Sequence, residues 1–526
     1  MPEFSDSEAA LLAPYFTNID QPTFGLTNLP ETVKGALFAR YSRSPKSLRR
    51  LFLDEFAEQV ADAPTASTVG LARAEKLYSR VFNDFGDDSV AQLGGVHLAC
   101  EDVSNILTKV LERGRLMAYL EQSTRYIPYT ERRGDAWRYL IPAELDGHPL
   151  RPLYAETMNA SFATYARWID PMRLWFEARY PKAPGDSDAV YRSAIRAKAL
   201  DTLRGLLPAA TQSSVGIYGT GQAYESLLLR MRAHPLAEVR DTSDAMLTEL
   251  RKIIPAFLVR VDQPERGGRW TGYLSATRRR VEEMTERLTR DVAPETNDEV
   301  RLSDFDPDGE TKVVAAALYT SSGLPDDQLM DIARRLSVPE RIAVLHAYAG
   351  DRQNRRHKPG RAFERTSYRF DVLTDYGAFR DLQRHRLLTM DWQALTTRHG
   401  HIQPEAMIDA GGDADWRQVM EQSAHLHESL VDAGLGAVAQ YAVAMAYRVR
   451  FVMDMNAREA MHVIELRTAP QGHPAYRRVC QKMHRLIAEG AGHRAIADTM
   501  RFADHSEVEL ERLQEERRLE LKRKGQ

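Results

Sequence analysis

Cysteine is almost missing from this 526-residue chain, which contains only Cys100 and Cys480. Two thiols cannot build a disulfide framework or a thiolate metal cluster, so both read as buried apolar packing. No apolar run approaches the roughly 18 residues needed to span a bilayer. The opening Met1-Pro2-Glu3-Phe4-Ser5-Asp6-Ser7-Glu8 is acidic and lacks the layout of a signal peptide. These absences imply a cytoplasmic protein with no membrane segment. A basic excess is missing too: 71 Lys and Arg stand against 74 Asp and Glu, a net charge of −3. That balance argues against a general nucleic-acid binder. What is present is ordinary for a globular protein, 43% hydrophobic and 28% charged, at a length suited to two or three domains.

The chain repeats itself with a period of roughly 270–280 residues. Lys34-Gly-Ala-Leu-Phe-Ala-Arg-Tyr41 is echoed by Lys312-Val-Val-Ala-Ala-Ala-Leu-Tyr319, each followed by a Ser-rich turn and a helical run containing Arg-Arg-Leu. Tyr139-Leu-Ile-Pro-Ala-Glu144 parallels His401-Ile-Gln-Pro-Glu405. A helical region rich in Ala, Leu, Arg, Glu and Met follows each, about 150–258 and 413–503. Pro171, Pro181, Pro208 and Pro235 are expected to break the first region into several helices. Residues 290–311, rich in Asp, Glu, Pro and Gly, read as linker and turn, preceded by an extra helix over 266–290. The expected boundaries are a first domain over 1–265, a linker helix and loop over 266–298, and a second domain over 299–505. The charged tail, 506–526, reads either as an amphipathic helix packing Leu510 and Leu513 or as a frayed end.

Chemistry concentrates in two stretches. The first runs Arg113-Gly114-Arg115 to Glu121-Gln122-Ser123-Thr124-Arg125-Tyr126. Alternation in an extended segment would place Glu121, Ser123 and Arg125 on one side, and arginine is a natural clamp for phosphate. The second is Arg384-His385-Arg386. Joined together, they resemble the Arg-His-Arg-x2-Ser-x-Asn-Glu-x-Ser-x-Arg-Tyr motif of flavin-dependent thymidylate synthases. Arg204-Gly-Leu-Leu-Pro208 is similar to the family's Arg-x-x-Leu-Pro segment, and Asn456-Ala-Arg458 through His462 to Arg467 to its Asn-Ala-Arg helix. Arg230 stands for the last arginine of that helix in the first half, and His473-Pro474 echoes His234-Pro235.

The losses are complementary. The first copy keeps Glu-x-Ser-x-Arg-Tyr, Arg204 and Arg230; the second keeps Arg-His-Arg and Asn-Ala-Arg. In the second copy Trp392, Ala394 and Thr396 fall where Glu, Ser and Arg should stand, unless a two-residue slip recovers Thr396-x-Arg398-His399, and Ala433-Gly-Leu-Gly-Ala437 replaces the Arg204 segment. The family's Gly-His turn survives only in part, at Gly86–Leu93 and Lys358–Arg365, and Arg355–Arg361 reads as a rewritten cofactor loop or an exposed basic one.

The resemblance implies an α/β fold in which two tandem domains each wrap long helices around a mixed sheet. It implies an FAD-dependent enzyme that methylates a uridine nucleotide, with methylenetetrahydrofolate as donor and NADPH as reductant, acting as a homodimer. Ser123, Arg125 and Arg384 would be catalytic. Glu121, Gln122, Arg204, Arg230 and Arg467 would join them on the nucleotide. Arg384, His385, Arg386, Asn456, Arg458, His462 and His473 would hold the flavin, with no metal. The alternative is a degenerate protein that binds flavin or nucleotide for regulation or structure.

Overall fold

The computed structural model describes residues 4–42, 44–57, 91–134, 136–295, 298–508, 510 and 513–524. Of the first-copy turn, Gly86–Val90 lie outside the described residues. The chain forms two compact units: Met1–Val103, Gly114–Glu121 and Ser213–Val292 make the first, and Ser104–Arg113, Gln122–Gln212 and Ala293–Gln526 the second.

Unit 1 holds a three-stranded sheet in the order β1 (Gly95–Ser104), β3 (Gln212–Thr220), β2 (Met117–Glu121). The antiparallel β2–β3 ladder sets Glu121 opposite Val215. Helices Gly221–Arg232 and Ala237–Arg251 bury Leu227, Leu228, Met246 and Leu250. Helix Arg269–Thr289 buries no residue.

Unit 2 is built on a four-stranded sheet ordered β4 (Val300–Phe305), β5 (Ser367–Asp375), β7 (Arg448–Asn456), β6 (Thr389–Trp392). Its three ladders are antiparallel. On β7, Val449, Phe451, Met453 and Met455 point into the core, the period-2 pattern of a half-covered sheet. Strand β4 falls inside the stretch read from sequence as linker. It is an edge strand with one neighbour, so Arg301, Ser303 and Asp304 stay outside the core and its composition imitates a loop.

The helices of unit 2 that matter below are α1 (Asn105–Leu111), α2 (Arg151–Arg179), α3 (Asp188–Leu203), α4 (Tyr376–Leu382), α5 (Asp413–Asp432), α6 (Ala457–Arg467), α7 (Pro474–Arg485) and α8 (Leu513–Lys524). Pro171 does not end α2, contrary to the sequence expectation, whereas Pro181, Pro208 and Pro235 all lie outside helices. Proline at 171 frees the carbonyl of Arg167, four residues back on an exposed part of the helix. Tyr154, Met158, Phe162, Tyr165, Met172 and Phe176 are buried along the other side, and burial worth ~1.5–3 kcal/mol for each large apolar side chain offsets the interruption. Trp168 Nε1 donates to Asp415 at 2.7 Å, tying α2 to α5.

Four strand-to-helix junctions use one device. Ser104, Thr220, Asp375 and Asn456 each sit in extended conformation and accept the backbone N–H three residues on. Such a cap is worth about 1 kcal/mol and fixes where the helix begins. Within unit 2 the two repeats meet at their α1 and α4 ends, where Tyr376 Oη donates to the Asn105 carbonyl at 2.8 Å and Gln383 Nε2 to that of Lys109 at 3.1 Å. An isolated bridge pairs Pro208 with Ala444.

Candidate functional site

The caps give a register for comparing the repeats. Nine residues past its cap, each α1- or α4-type helix is followed by Arg113 or Arg384. Eleven residues past Thr220 and Asn456 stand Met231 and Arg467. Arg230 is therefore one residue out of register with Arg467, and it bonds Ser226 at 3.1 Å within unit 1. Arg204 opens the 3-10 turn Arg204–Leu206, and Gln440 opens its partner turn Gln440–Ala442. The residue replacing Arg204 is thus Gln440 rather than the 433–437 stretch. Val215 and Phe451, each five residues before a cap, pair with Glu121 and Trp392. Trp392 accordingly stands at the Glu121 position, with no two-residue slip.

In unit 2 the arginines kept by different repeats converge. Arg125 donates through Nε to Asp201 Oδ2 at 2.7 Å, and Arg204 Nη1 lies 3.6 Å from Asp201 Oδ1. Arg384 Nη2 bonds Asp381 Oδ1 at 2.7 Å, and Arg467 Nη1 approaches the same oxygen at 3.6 Å. Burial alone would raise the Asp381 carboxyl, but the guanidinia of Arg384, Arg467, Arg204 and Arg125 outweigh it and hold the group at about 2. Arg125 is likewise penalised by burial, yet Asp201, Tyr476 and Asp381 raise its pKa and keep it charged. Arg467 also lies 5.4 Å from the Tyr476 ring centroid. Asp381, Asp201 and Tyr476 escaped the sequence reading; the only signal was Asp381 lying three residues before Arg384.

A cavity of about 500 Å³ opens beside this cluster, walled by Arg204, Asp201 and Lys198 of the first repeat and by Asp375, His473 and Trp416 of the second. Arg204 Nη2, Asp375 Oδ2 and Trp416 Nε1 are buried without a hydrogen-bond partner among the described residues. Orphaned polar atoms beside a cavity are what a polar ligand satisfies. His473 caps α7 by accepting Ala475 N–H at Nδ1. Burial and the guanidinia of Arg204 and Arg125 hold it well below its usual pKa, hence neutral.

Ser123 and Arg125 do not continue the extended strand. Tyr126 and Ile127 N–H groups both bond the Ser123 carbonyl at 3.2 Å, and Ser123 Oγ accepts from Arg125 N–H at 3.3 Å. This local turn displaces the expected alternation. Glu121 ends β2 in unit 1, while Gln122 and Arg386 are exposed.

The second-repeat groups form a neighbouring cluster. Arg467 Nε donates to His385 Nε2 at 2.9 Å, and His385 Nδ1 faces Glu459 Oε1 at 3.6 Å. His462 packs edge-on to His385, ring centroids 5.5 Å apart. Burial, aided by Arg467, keeps His385 well below its usual pKa; burial, with Lys358 and Arg355, lowers His462 to about 4. Burial lifts Glu459 to about 7 against the pull of Lys358 and Arg458. His385, Glu459 and His462 are close enough to suggest a metal site. The donor chemistry opposes it: Arg467 occupies the Nε2 lone pair, so the neutral imidazole carries its proton at Nδ1 and offers a cation nothing.

The set suits a flavin dinucleotide better. Asn456 caps α6 through Glu459 N–H at 2.9 Å. Arg458 bonds the Pro359 carbonyl at 2.9 Å and Glu364 at 3.3 Å, which brings the basic 355–361 loop to the start of the same helix. Cationic side chains and a helix N-terminus favour a pyrophosphate, and two neutral imidazoles lie within reach of the same loop's charges.

The family model for thymidylate synthase complementing protein matches this chain twice, over residues 35–256 and 301–491. The chain belongs to that family, as a tandem α/β protein. It is 37% identical over 523 residues to a UPF0159 protein of Chlamydia muridarum, covering 98% of both chains. It is 29% identical over 181 residues to a flavin-dependent thymidylate synthase of Mycobacterium marinum, spanning 34% of this chain and 66% of that one. A solved UMP/dUMP methylase from Streptomyces cacaoi covers 39% of this chain and 97% of its own, at 19% identity and a TM-score of 0.30. No helix among the described residues is long and apolar enough to cross a membrane.

Proposed function

We propose that this protein is an FAD-dependent enzyme that methylates a deoxyuridylate-type nucleotide, with one complete site per chain. The observation that carries this reading is the meeting of Arg125 and Arg204 from one repeat with Arg384 and Arg467 from the other around Asp201 and Asp381. Four guanidinia against two carboxylates leave a surplus suited to a phosphate dianion. Arg384 and Arg467 bind and orient the nucleotide. Arg125, fixed by Asp201, sets the other side, with Ser123 holding the turn that presents it. His385, held as the Nδ1–H tautomer by Arg467, offers a hydrogen bond donor without a charge. FAD, when bound, supplies the hydride, with NADPH as its reductant and a folate as carbon donor. His385, Arg386, Asn456, Arg458 and His462 are the residues that would hold it.

Ser123 Oγ, engaged within its own turn by the Arg125 N–H at 3.3 Å, favours a second reading, in which the site binds nucleotide or flavin without turnover. The visible spectrum of the purified protein tests the first reading. Flavin bands that bleach with NADPH under anaerobic conditions support it, and a colourless protein that takes up no added FAD overturns it. Substituting Ser123 and Arg125 separates the two: an enzyme loses turnover, a structural protein only stability.

A further inference from the structure

Helix α3 faces two cavities. Lys198, Asp201 and Thr202 line the one described above. On another face Arg192 and Arg196 line a separate open groove of about 500 Å³, completed by Arg125, Tyr126 and, from α2, Arg173 and Glu177. The Arg125–Asp201 bond is the partition, since Arg125 borders the groove and Asp201 the cavity.

The groove has four guanidinia and one carboxylate. Arg173 is committed to Glu177 at 2.6 Å, and Arg125 to Asp201. Arg192 and Arg196 are exposed and have no ion-pair partner among the described residues. They lie four apart on one helical face, a like-charge pair that weakens a helix, and Asp188, one turn before Arg192, is already paired with Lys182 at 2.5 Å. Among its described side chains, the charged C-terminal helix α8 pairs none with Arg192 or Arg196. It docks beside the groove, where Arg517 pairs with Asp186 at 2.8 Å and Ser193 Oγ donates to Glu516 at 3.3 Å. Tyr126 adds an aromatic face that is 46% exposed.

We propose that this groove binds the anionic arm of a ligand whose head reaches the arginine cluster through Arg125. Side chains at i and i+4 stand about 6 Å apart at Cβ, so two anionic groups in series give each arginine its own partner, where a lone anion must be shared. An oligo-γ-glutamyl chain or the pyrophosphate of a dinucleotide has this chemistry. Assigning the head rests on the nucleotide reading above; the arm site does not.

The test is calorimetric titration of the full-length chain with tri-γ-glutamate and with inorganic pyrophosphate, beside glutarate and inorganic phosphate as single-group controls. Arg192→Ala/Arg196→Ala is expected to weaken the better probe at least tenfold, and Glu177→Gln, which removes the groove's carboxylate, to tighten it. Rising salt should weaken wild-type binding. Preference for triglutamate identifies the glutamyl source; preference for pyrophosphate identifies the dinucleotide. Equal affinity in wild type and double variant, or no advantage of either probe over the single-group controls, overturns the proposal. Deoxyuridylate is titrated in parallel: if it fails to bind while the arginine-dependent probe binding persists, the nucleotide reading falls and the arm site stands.

Discussion

The chain carries the same motif register twice, and the two copies have gone opposite ways. At one, Arg384 and Arg467 meet Arg125 and Arg204 across the carboxylates of Asp381 and Asp201. In the other register the matching positions are Arg113, Met231, Thr396 and Gln440, and Val110 stands where Asp381 does. There Arg113 pairs with exposed Asp391 at 2.7 Å and lies 5.2 Å from the Trp392 ring, while Gln440 accepts Leu395 N–H at 3.1 Å and bonds the Ala437 carbonyl at 3.2 Å. A duplicated chain needs each constellation only once. Where the arginines were kept, each kept a carboxylate partner, because a buried charge stripped of its partner is costly; where they were lost, ring and amide contacts stand at the matching positions.

The largest effect should come from upsetting that balance. Asp381→Asn removes the carboxylate shared by Arg384 and Arg467 and is expected to cost about 3 kcal/mol, seen as a lower denaturation midpoint. Val110→Ala, at the matching place, should cost about 1 kcal/mol; equal losses would erase the distinction between the junctions. Next come the paired arginines. Arg384→Ala should weaken deoxyuridylate binding by roughly ten- to a hundredfold, the worth of one charge-assisted contact of ~1.5–3 kcal/mol. Arg113→Ala should leave it within about twofold, both read by calorimetry.

A pH test sharpens the contrast. The Glu459 carboxyl is raised from 4.5 to about 7 in the folded chain, so its stabilising contribution is full below pH 4.5 and is lost as pH rises through 7. Glu459→Gln should remove a downward slope of at most about 1.4 kcal/mol per pH unit across that window. Parallel slopes in the two proteins would deny the buried position of the group. The smallest effect should be symmetrical: Asn456→Ala and Thr220→Ala each remove one cap and should each cost about 1 kcal/mol in thermal unfolding.

Much of this was legible in the sequence. The motif fragments, their complementary loss and the tandem α/β arrangement rest on local residue patterns that the chain carries openly. The Trp392 substitution was readable only as one of two alternatives, which the strand register separates. What was hidden depends on residues far apart in the chain. Arg125 meets Asp201 and the Asp381 neighbourhood only after α3 and the β5–α4 turn are in place, and no periodicity marks that. Asp381 itself passed as an ordinary helix residue. Pro171 misled because helix propensity counts the lost hydrogen bond but not the six large side chains buried along the same helix. Ser123–Arg125 misled because a hydroxyl-to-backbone bond turned a period-2 segment into a turn.

The central claim is one complete nucleotide site per chain. Calorimetric titration of the flavin-saturated protein with deoxyuridylate measures it directly. A stoichiometry of one nucleotide per chain, with affinity weakened roughly ten- to a hundredfold in Arg384→Ala and kept in Arg113→Ala, is the expected result. Two per chain, or one that survives Arg384→Ala and disappears with Arg113→Ala, would contradict the account.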